Sequence, residues 1–153
     1  MKILLISAIL FLCGLYCFAD EVEDVETFFN DYVSAANNYS CDYFDYYSSN
    51  PKIIRVVEKP DGTQKTVCVP FERYKSEAKK SSKLMKLRQY KNRYLNVKVF
   101  PYGNDYKIVA MRMPSTSDYK VPAHFIIGKD EDGNWKIKEE SMNTKVQRFL
   151  RES

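Results

Sequence analysis

Apolar positions Val22, Val25, Phe28, Phe29, Tyr32, Val33 and Ala36 recur at steps of three and four, with acids between them at the start, where a helix dipole favours negative charge. This spacing predicts a first amphipathic helix. Asn37-Asn38-Tyr39-Ser40 interrupts it, Ser40 is placed to act as an N-cap, and Cys41 to Tyr47 predicts a short second helix that shows Tyr43, Phe44 and Tyr47 to the core. The period then shortens. Ile53 to Glu58 and Thr66 to Val69 read as the strands of a small hairpin around the Pro60-Asp61-Gly62 turn. Pro70 opens a third helix, with Phe71, Tyr74, Ala78, Leu84 and Met85 along one side and Arg73, Lys75, Lys79, Lys80, Lys83 and Lys86 around the rest.

From Tyr94 onward alternation dominates. Leu95-Val97-Val99, Tyr106 to Met113, Val121 to Gly128 and Trp135 to Met142 predict a four-stranded antiparallel meander, its last hairpin turning through Lys129 to Asn134. Asn143 to Ser153 suggests a short basic C-terminal helix with Val146, Phe149 and Leu150 inward. Helices segregated from strands indicate an α+β fold, with three N-terminal helices packed in the concave face of a curved, mainly antiparallel sheet.

One segment shows no alternation. Lys2 precedes an apolar run from Ile3 to Ala19, which an acidic stretch follows, and Cys17-Phe18-Ala19 puts small residues three and one before a cut. This predicts a signal peptide over residues 1–19 and a single exported domain over 20–153, periplasmic or secreted, with no membrane span after cleavage; an uncleaved anchor is the alternative. Tyr and Phe number 12 and 9 against five Gly, a composition of packed aromatics rather than flexible linkers.

The net charge of +4 conceals an uneven distribution: residues 20–50 carry acids and no Lys or Arg, so the rest of the chain is basic. Such segregation either steers an anionic partner or cancels when the two parts lie together. Export argues against nucleic acid as a target of the basic third helix. Cys41 and Cys68 are the two cysteines outside the signal, and an even pair in an oxidising compartment suggests one disulfide, worth ~3–4 kcal/mol on the chain-entropy argument; two free thiols are the alternative. A single histidine and the lack of Cys-x-x-Cys spacing predict no metal site, and nothing points to a cofactor.

Candidate chemistry is sparse. His124, among apolar neighbours, is a possible acid or base, as is Asp45 in the Cys-Asp-Tyr-Phe-Asp-Tyr-Tyr run, although Asp at a helix start ordinarily serves the dipole. Arg112 shares strand parity with Ile108 and Ala110, and Glu139 with Trp135 and Ile137. If those faces turn inward, the two charges must meet each other or a ligand.

The segments VETFFNDYVSAAN, YFDYYSSNPKIIRV, Pro70-Phe71-Glu72-Arg73-Tyr74 and Gly133-Asn134-Trp135-Lys136-Ile137, taken in this order of elements, resemble the nuclear transport factor 2-like superfamily, including SnoaL and ketosteroid isomerase-like domains. The resemblance implies a cone-shaped cystatin-like α+β domain whose open end is a pocket. Any such pocket is expected between the concave sheet and the first two helices, with Tyr32, Tyr47, Arg112 and Glu139 as lining candidates, because the two strand charges share faces with apolar residues. With no acid–base constellation identifiable, the expectation is an exported non-catalytic binder of a small apolar ligand or a protein partner. A ketosteroid isomerase or SnoaL-like isomerase, lyase or hydrolase is the alternative, and an envelope assembly component, or homodimer, pairing through the sheet is a further one.

Overall fold

The computed structural model describes residues 20–151; the proposed signal over 1–19 lies outside them, as do the last two residues of the C-terminal helix expected there. The first helix, α1, is helical over 20–36 and buries Val25, Phe29 and Tyr32, one stripe of the predicted face. Among the described residues two α-helices are present rather than the three expected. The predicted second one is a single 3-10 turn, Asp42–Tyr46, without a side-chain cap, and Ser40 caps nothing there. Its three aromatics, Tyr43, Phe44 and Tyr46, lose rotamer freedom in a helix and its two acids compete with the backbone, and Tyr47 is already extended.

That extension begins β1 (Tyr47–Glu58), six residues earlier than the alternation suggested. β2 (Gln64–Val69) returns from it, and α2 (Phe71–Leu87) follows. The chain then runs through β3 (Asn92–Tyr102), β4 (Asp105–Pro114), β5 (Val121–Lys129) and β6 (Trp135–Thr144), and ends in a 3-10 turn, Gln147–Leu150. The expected basic C-terminal helix is thus one turn. Phe149 is buried, whereas Val146 is exposed.

The six strands form one sheet in the order β2-β1-β6-β5-β4-β3. The β1–β6 pair is parallel and the others antiparallel, so the meander folds back to bring its last strand beside the first hairpin. The inner face carries Ile53 and Val57, Ile108 and Ala110, Ala123, Phe125 and Ile127, and Ile137, all buried, and all but Ala110 belong to one core cluster with Val25, Phe29 and Tyr32 of α1. Phe29 meets the Phe125 and Tyr94 rings edge-on with centroids 4.9 and 5.3 Å away. Such pairs add ~0.5–1.5 kcal/mol beyond area burial.

One irregularity decides what faces inward. Ile127 pairs with Ile137, but Ile126 pairs with Glu139, so Lys138 is an extra residue on β6. Ile137 faces in, Glu139 faces out, and Glu140 faces in beside Phe125. The bulge is anchored by Lys138 Nζ donating to Asp105 Oδ1 at 2.7 Å, directly beside Gly128, where a Cβ would lie 1.9 Å from that same oxygen. Of the acidic N-terminal stretch, Glu21 meets the basic remainder: Lys129 Nζ and the Tyr106 hydroxyl donate to it at 2.9 and 2.8 Å, and these bonds hold its carboxyl below the usual range.

Candidate functional site

Where α1 and α2 diverge above the sheet they leave a cavity of about 460 Å³, open to solvent and in the size range of small-molecule sites. Val33 and Ala36 from α1, Ala78 and Met85 from α2, Met142 from β6 and Phe149 supply its apolar walls. It lies above the concave sheet and between α1 and α2, with Tyr39 to Tyr43 of the intervening segment at its edge.

On the inner face stands Glu140, wholly buried. Its Oε1 accepts from Arg55 Nη2, and its Oε2 accepts from the Tyr47 hydroxyl and, at 3.1 Å, from the Tyr32 hydroxyl. The two phenol oxygens lie 2.9 Å apart. Burial first, and the Glu140 charge second, push both phenols well above the usual tyrosine range. The same two causes push Tyr74 up to about 12. For Arg55, burial is the largest influence and works against the charge, but the pulls of Glu140, Tyr74 and Tyr47 together outweigh it and keep the guanidinium above its ordinary range. Both Glu140 oxygens accept from protein donors, and Arg55 Nη1 also donates to the Ile54 carbonyl at 2.8 Å, which helps the fold tolerate a buried ion pair.

A second polar cluster lies where α1 ends. Asn37 clamps Asn92 at the start of β3, its Nδ2 donating to the Asn92 carbonyl at 3.0 Å and its Oδ1 accepting the Asn92 amide at 2.8 Å. Asn92 Oδ1 accepts from Arg112 Nη1 at 3.0 Å, and the Tyr90 hydroxyl accepts from the same nitrogen at 3.2 Å. Arg112 Nε is buried with no hydrogen-bond partner, and Arg112 has no ion pair among the described residues.

Of the lining candidates named from sequence, Tyr32 and Arg112 border the cavity, and Tyr47 stands behind Tyr32, buried on Glu140. Glu139 does not: the bulge turns it to the outer face, where it lies 3.4 Å from Lys52 and 3.6 Å from His124. It therefore cannot meet Arg112, and the expected ion pair between them does not form. His124 is also on the outer face, away from the cavity; burial first, then Lys107, lowers its pKa, against the opposing pull of Glu139. Asp45 is exposed, and its backbone carbonyl accepts from Lys136 Nζ at 2.7 Å.

Cys41 and Cys68 are free, not bonded. Cys41 borders the cavity, whereas Cys68 pairs in register with Ile54, between inward Ile53 and Arg55, and so points off the opposite side of the sheet. Sequence reasoning missed Glu140, Arg55 and Tyr74. The Ile53-Arg55-Val57 alternation was the available signal for Arg55, the same signal that singled out Arg112. Among the described residues no cluster of three or more His, Cys, Asp or Glu is placed to hold a metal, and no helix is long and apolar enough to cross a membrane.

No protein-family model matches the chain, and no curated protein matches it significantly. Solved structures do. An NTF2-like protein with a cystatin-like fold from Novosphingobium aromaticivorans superimposes with a TM-score of 0.62 at 10% identity, covering 92% of this chain and 96% of that one. A candidate ketosteroid isomerase from Shewanella frigidimarina gives 0.54 at 12% identity over 76% of this chain and 91% of that one. A chain of a yeast deubiquitinase–cofactor complex gives 0.52 at 14% identity over 79% and 94%. At such identities the likeness establishes the fold alone.

Proposed function

We propose that this chain, which has the nuclear transport factor 2-like fold, is an exported non-catalytic domain that binds a small apolar ligand in the cavity between its sheet and helices. The observation that carries the reading is the open cavity of about 460 Å³ walled by Val33, Ala36, Ala78, Met85, Met142 and Phe149. Against catalysis stands the use already made of the ionisable groups. Glu140 borders the cavity but is wholly buried and engaged by three donors, and His124 lies on the other face of the sheet. A general base needs a lone pair within reach of a substrate proton. Export rests on the apolar run of residues 3–19.

Titration with the neutral dye Nile red tests the binding reading. A saturable one-site rise in emission is expected, abolished by Ala78→Trp, which fills the cavity; an unsaturable response equal in both proteins refutes it.

One observation favours the enzymatic alternative: two phenols and a carboxylate converge on the inner face, with Tyr32 and Glu140 bordering the cavity. Turnover of an enolisable ketone that falls about a hundredfold in Glu140→Gln would put that reading first. The sheet-pairing alternative draws support from the exposure of Phe100 and Val109 on the outer face, and sedimentation equilibrium decides it.

A further inference from the structure

Among the charges that border the cavity, Arg112 is a part-buried one that no carboxylate meets. Four arginines border it (Arg55, Arg88, Arg112 and Arg148) against two carboxylates, Glu77 and Glu140. Both carboxylates are taken. Glu140 receives Arg55, and Glu77 is shared: its Oε1 accepts from Arg73 Nε at 3.0 Å, and its Oε2, without a hydrogen bond, lies 3.2 Å from Arg148 Nε. Arg88 is exposed and needs no partner, because water solvates it. Arg112 is different. It is part-buried, held in place by the neutral Tyr90 hydroxyl and Asn92 amide oxygen, and its Nε is sealed off without an acceptor. A guanidinium carries five donors, and leaving a desolvated one short of acceptors and of counter-charge costs free energy that a bound anion recovers.

We propose that the ligand is an amphipathic monocarboxylate, with its carboxylate received by Arg112 and its apolar chain laid along Val33, Ala36, Ala78 and Met85; this rests on the cavity being a binding site. A monoanion matches the single charge of Arg112, the part-buried arginine here that no carboxylate meets, whereas a phosphate dianion would set a second negative charge against the carboxylates that share this lining, Glu140 and Glu77. The planar fork matches carboxylate geometry, and its neutral partners fix its orientation before the ligand arrives, which lowers the ordering cost of binding.

The test uses the full chain, calorimetric titration at neutral pH, and three probes of equal chain length: decanoate, 1-decanol and decyl phosphate. Decanoate is expected to bind about tenfold to a hundredfold more tightly than 1-decanol, the range for a hydrogen bond to a charged group, and more tightly than decyl phosphate. Arg112→Gln is expected to erase the preference for decanoate over 1-decanol. Should that variant not fold, Arg112→Lys keeps the charge, loses the fork, and is expected to weaken decanoate about tenfold. Equal binding of decanoate and 1-decanol overturns the carboxylate inference while leaving the apolar-ligand reading intact. A preference that survives in Arg112→Gln overturns the assignment to Arg112, and tighter binding of decyl phosphate overturns the monoanion. If none of the probes binds, the cavity reading itself fails, and this inference with it.

Discussion

Arg55 and Glu140 form an ion pair with side chains 6% and 0% exposed, reaching diagonally between two parallel strands on which Glu140 stands beside Ile53 and Arg55 beside Met142. Both charges are removed from water, so their attraction offsets a desolvation cost only while both are present. Replacing Glu140 by Leu is expected to destabilise the protein by ~3–5 kcal/mol, as is Arg55→Met. The double variant is expected to recover a large part of that loss, because no unpaired charge remains. Urea unfolding of the four proteins closes the cycle; additive single effects would show that the pair is not coupled.

The raised phenol pKa values make a second prediction. Neutral Tyr32, Tyr47 and Tyr74 are favoured in the folded state above the ordinary value of 10.0, so the folded protein holds protons that the unfolded chain releases. Their contribution is complete below pH 10 and is lost as pH rises beyond it. Absorbance titration of tyrosinate is expected to show part of the 12 tyrosines ionising only together with the loss of near-ultraviolet circular dichroism. All of them titrating near pH 10 in the intact fold would contradict the sealed inner-face network.

His124 acts in the opposite direction. Its folded pKa lies below the ordinary 6.5, so the unfolded chain binds the proton more tightly and stability falls as pH drops below about 6.5. The urea midpoint is expected to decline between pH 7 and 5 less steeply in His124→Gln than in the wild type. Identical slopes would place the histidine in a more solvated setting than the outer face provides.

The separated cysteines are tested by Cys68→Ser. At an exposed position with no bonded partner, the change is expected to stay within about 0.5 kcal/mol in urea unfolding under non-reducing conditions. A loss of ~3–4 kcal/mol would reveal the bridge that the Cys41 and Cys68 spacing suggested.

Most of the architecture was legible because it rests on periodicity. The first helix, α2 and the alternation of β4 and β5 follow from residues such as Val25, Phe29, Ile108 and Phe125, each of which satisfies one local pattern. The parallel β1–β6 pair was not legible, because it joins Ile53 to Glu140, residues far apart along the chain, and leaves no local mark. The short second helix failed for a related reason: Tyr43, Phe44 and Tyr47 fit helical spacing, yet Phe44 and Tyr47 pack on Phe71 and Tyr74, and Tyr43 on Tyr32, from an extended and 3-10 backbone.

The candidate site was half legible. Tyr32 and Arg112 follow from strict spacing on uninterrupted elements. Glu139 and Glu140 are adjacent carboxylates on one strand, and strict alternation from Ile137 chooses the first, whereas the extra residue at Lys138 hands the inner position to the second.

That single inserted residue also bears on how roles are carried between distant relatives. An alignment without a gap at Lys138 keeps every later residue of β6 one step out of phase, assigning Ser141 to the site and Met142 to the outside. Identity of about a tenth offers few anchors with which to detect such a slip. Homology transfer onto this strand is therefore sound only when the gap is placed from the hydrogen-bond ladder rather than from residue similarity.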